Sequence, residues 1–238
     1  MNLLAIVQAR VPTSAIDMIL SGGISTKIIL VILAILSVSS WVIIFWKAIQ
    51  FRRVRLEGDR FLASLERSQR LNDAYNSVLR LPESPYTRLF RQGVNFFSEL
   101  RPGALRDDAP IGPGLSEAQL HALKLVLEKE QGQESDDLAA GLTWLAIMAA
   151  VSPLLGLLGT VLGVMSAFLG VAAAGTANIS AIAPGVAEAL ITTVAGLTVA
   201  IPAAIAYNYY ASRLGAFDGE LEGFASEFIG SLAREGRL

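Results

Sequence analysis

Residues 138–212 read LAAGLTWLAIMAAVSPLLGLLGTVLGVMSAFLGVAAAGTANISAIAPGVAEALITTVAGLTVAIPAAIAYNYYAS and carry a single charge, Glu188. A bilayer core needs about 20 apolar residues per helix. These 75 positions are too many for one span and suit two. The break falls at residues 174–180, where Gly175, Thr176, Asn178 and Ser180 cluster. Working outward, Lys27 and Lys47 bracket a further 19 uncharged positions rich in Ile, Val and Leu, with Trp41 and Trp46 near one end as interfacial aromatics. The expected fold is therefore all-α, with three transmembrane helices and a polar helical domain between the first and second.

The charges agree with this division. Of 238 residues, 53% are hydrophobic and only 17% charged, whereas a soluble domain carries about 25% charged residues. Residues 47–137 hold 14 basic and 14 acidic side chains. This predicts an N-terminal segment over 1–25, spans over 26–46, 143–173 and 181–209, a helical domain over 47–142, a loop over 174–180 and a C-terminal helix over 210–238. Basic residues concentrate in 47–137 and in the tail at Arg213, Arg234 and Arg237. The positive-inside rule then puts both on the cytoplasmic side and the N-terminus outside. Residues 2–20 are expected to form a short helix on the outer surface.

Several classes are excluded. Disordered chains are short of apolar residues. The absence of cysteine removes disulfides, thiolate metal sites and a Cys nucleophile. A net charge of −2 gives no nucleic-acid footprint. His121 is the only histidine and reads as an ordinary polar position. The glycines of GLLGTVLG at 156–163 lack the GK[ST] ending of a phosphate-binding loop. No catalytic residue, metal or cofactor is expected.

The polar segment reads as helical. Phe51, Val54, Phe61, Leu62 and Leu65 share a face, as do Leu71, Tyr75, Val78 and Leu79. Residues 81–85 (LPESP) break the pattern, and Leu89, Phe90, Val94 and Phe97 resume it. A loop is expected over 102–114. Ser116-x-x-Gln119 then reads as a capping box. The helix it opens carries Leu120, Leu123, Val126 and Leu127 and could run unbroken into the second span.

Glu188 is the candidate for chemistry. A carboxylate in hydrocarbon costs at least about 2.5 kcal/mol, so it should face a bundle interior or a watery path. A carboxyl able to be neutral or charged is what a proton path requires. Three hydroxyls are candidate partners: Thr192, at i+4 on the same helical face; Thr193, pointing roughly 140° away; and Thr160 in span two. Small residues form packing rows: Gly156, Gly159, Gly163, Ala167 and Gly170 in span two, and Thr192, Gly196, Ala200 and Ala204 in span three. Such rows let helix backbones approach closely. Pro153, Pro184 and Pro202 are expected to start or bend helices.

The stretches GLLGTVLGVM (156–165) and APGVAEALITTVAGL (183–197) resemble the TolQ/ExbB/MotA family of ion-driven motor stators. Ser152-Pro153 and Ala206-Tyr207-Asn208 lean towards TolQ, and Gly215-Ala216-Phe217 towards ExbB. The resemblance implies a homopentamer in the bacterial inner membrane, surrounding a dimer of a single-span TolR/ExbD-type partner whose aspartate takes the proton. It carries the family's polar positions to Thr160, Glu188 and Thr193, and favours Thr193 over Thr192. It also explains why one chain looks incomplete. A lone Glu cannot relay an ion across about 30 Å, and a partner acid supplies a second site. The expected function is to use the proton motive force, about 2.3 kcal/mol per proton per 100 mV, for mechanical work on an envelope process. Partners are then sister subunits, the single-span dimer and membrane lipid, with no nucleic acid. Sodium-driven or gliding-motility stators, a non-conducting scaffold and a secondary transporter are the alternatives. The last usually shows an internal repeat, and none is visible.

Overall fold

A computed structural model describes residues 23–67, 71–102, 114–175 and 179–234. Six helices and no strand occur among the described residues: α1 (Ile24–Glu66), α2 (Leu71–Val78), α3 (Pro85–Leu100), α4 (Glu117–Ala139), α5 (Leu142–Ala174) and α6 (Ile179–Arg234). The expected surface helix at 2–20, most of the loop at 102–114 and the centre of the loop at 174–180 lie outside the described residues. Three helices, α1, α5 and α6, are long and apolar enough to cross a membrane.

The chain divides into two compact units. The first comprises the described residues of Met1–Ile44 with Thr143–Tyr207. Its organisation inverts that of a soluble core. Small residues face inward, and Ala167, Ala189, Ala200 and Ala203 are buried. Large apolar side chains such as Val38, Leu154, Phe168, Val194 and Ile205 point outward and are more than half exposed. In lipid the hydrophobic effect does not favour helix association, so close backbone packing must supply it. Ile29 and Leu33 of α1 and Val199 of α6 form a small buried cluster, with Leu155 and Leu162 of α5 packed against it.

The second unit comprises Phe45–Leu142 and Asn208–Leu238. Here the core is conventional and aromatic. Phe61 lies edge-on to Phe224 at 5.2 Å, and Phe90 edge-on to Phe228 at 5.7 Å. Such pairs add about 0.5–1.5 kcal/mol beyond area burial. Leu89, Val94, Phe97, Leu123 and Leu127 complete the core. The capping box at Ser116 is present, with Gln119 N–H donating to Ser116 Oγ at 3.3 Å and Ser116 N–H to Gln119 Oε1 at 2.9 Å. The breaker at 81–85 ends in another: Ser84 caps α3 ahead of Pro85, in a reciprocal box with Thr87. Proline suits this first position because its missing N–H has no intrahelical partner there.

Polar groups pin this unit from inside. Arg88 of α3 makes a two-pronged ion pair with Glu134 of α4, its Nη2 donating to Oε2 at 2.5 Å. That hydrogen bond holds the Arg88 guanidinium above its usual range. Tyr86 donates to Glu220 Oε2 at 2.6 Å, and burial pushes its phenol pKa upward. Gly58 lies under the Tyr86 ring, where a Cβ would stand 2.7 Å from Cε2. Lys47 is fully buried and donates to Leu138 O at 2.9 Å and Gln50 Oε1 at 2.7 Å. It thus satisfies a terminal carbonyl of α4.

One expectation fails. The helix opened at Ser116 does not run unbroken into the second span. It stops at Ala139, and Gly141 adopts φ 85° before α5 begins. Only glycine enters that region without steric cost, so the chain is interrupted where its polarity changes.

Candidate functional site: a hydroxyl pair and a membrane carboxylate

The site lies in the first unit, where α5 and α6 run antiparallel in backbone contact. A Cβ added at Gly156 would stand 3.0 Å from Thr192 O, and one at Gly196 only 2.5 Å from Ser152 O. A Cβ at Gly163 would stand 2.9 Å from Gly185 O, and one at Gly159 would collide with the Thr192 side chain. Gly170, at the far end of the row, is exposed. Pro153 lies inside α5, and Pro184 and Pro202 lie inside α6.

This closeness brings Thr160 and Thr193 into direct hydroxyl contact. Two backbone carbonyls complete the group. Thr160 Oγ1 lies 3.1 Å from Gly156 O and 3.2 Å from Ala189 O, and Thr193 Oγ1 lies 3.4 Å from each. Thr192 Oγ1 reaches the same two carbonyls, so three hydroxyl protons are shared among five oxygens and more than one donor arrangement satisfies the geometry. Thr160 and Thr193 are half-buried.

Thr192 is placed differently. It is 0% exposed, packs on Gly159, and donates to Ala189 O at 2.7 Å. Its shortest bond runs back to its own helix, as threonines in apolar helices commonly do, and its hydroxyl also lies 3.4 Å from Gly156 O of α5.

Glu188 joins neither hydroxyl arrangement. Its Oε2 accepts from the backbone N–H of Gly23 at 3.1 Å and from Thr26 Oγ1 at 3.3 Å. These residues form the N-terminus of α1, where unpaired N–H groups and the helix dipole favour an anion. Thr26 is buried. It was not among the sequence candidates. Its only signal was its place as a hydroxyl at the start of the first apolar run. The carboxylate meets hydrogen-bond donors there rather than other oxygen acceptors. No group of three or more His, Cys, Asp or Glu able to hold a metal occurs among the described residues.

Residues 83–222 match the MotA/TolQ/ExbB proton channel family. The chain belongs to that family. It is 34% identical to the Tol-Pal system protein TolQ of Pseudomonas aeruginosa, over 94% of each chain. It is 32% identical to the Tol-Pal system protein TolQ of Haemophilus influenzae, over 92% of this chain and 94% of that one. Against the biopolymer transport protein ExbB of Salmonella typhimurium it is 30% identical, over 87% of this chain and 82% of that one. Membership agrees with three helices long and apolar enough to cross a membrane.

Proposed function

We propose that this family member is a proton-conducting stator subunit, with Thr160, Thr193 and Glu188 along the path. The observation that carries the reading is the Thr160–Thr193 hydroxyl contact, in a unit whose only carboxylate between positions 138 and 212 is Glu188. Hydroxyls and carbonyls that can exchange donor roles suit proton passage. A purely packing role gains nothing from hydroxyls that share carbonyls across two helices. With a single carboxylate between positions 138 and 212, protons are favoured over sodium.

In this reading the spans are 26–46, 143–173 and 181–209, in the inner membrane. The N-terminus is periplasmic, and residues 47–142 and 210–238 are cytoplasmic. Five copies surround a dimer of a single-span TolR/ExbD-like partner whose membrane acid completes the path. The proton motive force then drives relative movement that energises an envelope process. The charge distribution and the names of the relatives support this reading.

Proton uptake into vesicles holding the chain with its co-expressed single-span partner tests it. Glu188→Ala and Thr193→Ala should each abolish most of the flux while native mass spectrometry still finds the assembly. No flux in the wild type, with full envelope activity in Glu188→Gln, would favour a non-conducting scaffold. Flux that follows sodium at fixed potential and pH would favour a sodium motor.

A further inference from the structure

The second unit carries a groove of about 500 Å³ between α1 and α6, not used by the proposed path. Its apolar wall includes Phe51, Val54 and Tyr210, and Phe51 and Tyr210 stack at 5.3 Å. Three arginines line it: Arg52, Arg55 and Arg213. All three are exposed, and none pairs with a carboxylate among the described residues. Arg213 lies over the Tyr209 ring at 5.3 Å. The neighbouring Arg53, by contrast, pairs with Glu57 at 2.9 Å.

Position along the helices gives these cations a meaning. A helix rises about 1.5 Å per residue, so Arg52 and Arg55 lie roughly 9 and 13 Å beyond Trp46, and Arg213 roughly 6 Å beyond Tyr209. Trp46 is the last aromatic of the first apolar run, and Tyr209 is the last residue of the third span. The headgroup layer of one leaflet is about 5–8 Å deep, and arginine side chains reach back toward it. The acids of the groove, Asp59 and Glu220, lie farther along the same helices. Glu220 is already engaged by Tyr86 at 2.6 Å. The groove is thus cationic at the bilayer end, acidic at the far end and apolar along one wall.

We infer that Arg52, Arg55 and Arg213 form a binding site for the phosphate of an anionic phospholipid headgroup, with an acyl chain along the Phe51–Tyr210 wall. Paired phosphate recognition is what arginine's planar donor fork does best. Tyr209 holds Arg213 in place through its ring face. The inference rests on α1 and α6 crossing the bilayer and is independent of proton conduction.

The test uses the full chain, with its single-span partner, in lipid discs of phosphatidylcholine containing a minority of phosphatidylglycerol. Native mass spectrometry counts the lipids retained. The wild type should retain phosphatidylglycerol well above its share of the disc. Each arginine-to-glutamine change should weaken retention roughly fivefold, and all three together about a hundredfold. The triple arginine-to-lysine variant should fall between the wild type and the triple glutamine variant, because lysine keeps the charge and lacks the planar fork. Arg60→Gln with Arg80→Gln, outside the groove, should change nothing. Retention in proportion to disc composition, or retention unaffected by the triple glutamine variant, would overturn the site. So would displacement of lipid by soluble glycerol phosphate, which would mark a free-anion site. Loss of the oligomer in the triple variant would assign the arginines to a neighbouring copy and overturn the lipid reading. These readouts are separate from flux, so a non-conducting wild type would leave the lipid result standing.

Discussion

The Thr26 hydroxyl donates to the Glu188 carboxylate at 3.3 Å, although 162 positions separate them. The carboxyl group thereby caps the start of α1 and makes no hydrogen bond to the Thr160–Thr193 pair. A hydrogen bond to a charged group contributes about 1.5–3 kcal/mol. Thr26→Val should therefore reduce proton uptake by about tenfold or more if that orientation is needed. Thr26→Ser should retain most of the flux, because it keeps the donor. Equal flux in the wild type and the valine variant would show that the contact plays no part in conduction.

Thr160 and Thr193 should behave as one unit. Valine at either position breaks the same shared group, so the double variant should conduct no worse than the poorer single one. Additive losses in a double-mutant cycle would argue against a shared role. Thr192→Ala makes the contrast. Its hydroxyl makes its shortest bond within α6 and makes no contact with the Thr160 or Thr193 hydroxyls, and its side chain packs on Gly159, so flux should persist while thermal stability falls slightly.

Backbone contact between α5 and α6 predicts an ordering of glycine substitutions. Overpacking typically costs about 1–3 kcal/mol. Gly196→Ala should lie at the upper end, because its Cβ would stand 2.5 Å from a backbone oxygen, Ser152 O, that cannot rotate away. Gly159→Ala meets a side chain instead, so adding Thr192→Ala should recover part of the loss. Thermal unfolding in detergent would compare the single and double variants.

Arg88 and Glu134 should respond asymmetrically. The Glu134 side chain is 5% exposed and that of Arg88 is 40% exposed. Arg88→Ala strands a buried carboxylate and should destabilise by about 3 kcal/mol or more. Glu134→Ala leaves a guanidinium that water can still reach, and should cost less. Replacing both should cost less than the sum of the singles.

Lys47 gives a pH prediction. Burial lowers its pKa from 10.5 to about 8. Its two acceptors, Leu138 O and Gln50 Oε1, suit the two donors of a neutral amine. Between pH 8 and 10.5 the unfolded chain binds more protons at this site than the folded one, so this group's contribution to stability rises with pH over that window. Thermal midpoints of the wild type relative to Lys47→Met should therefore rise from pH 8 to 10. A flat difference would show that the lysine is not desolvated.

Much of this was legible in the residues. The apolar runs located α1, α5 and α6, because span length is set by bilayer thickness. Ser116-x-x-Gln119 announced the start of α4, because capping is local. The rest depended on contacts that sequence spacing does not encode. A helical wheel puts Thr192 on the face of Glu188, but the choice between Thr192 and Thr193 depends on where Gly159 and Thr160 of another helix lie. The partners of Glu188 sit at the start of α1, beyond the reach of any periodicity. The stop at Ala139 turns on one residue, Gly141, whose positive φ is one of several conformations glycine permits.

The backbone packing of α5 on α6 also has a mechanical meaning. Where helices touch through long side chains, they slide by hopping rotamers. Gly156, Gly159, Gly163 and Gly196 offer no rotamers to change, so the seam has no intermediate setting. The close seam therefore resists sliding, so a displacement of α5 should carry the facing part of α6 with it, and any relative movement should be taken up outside this pair.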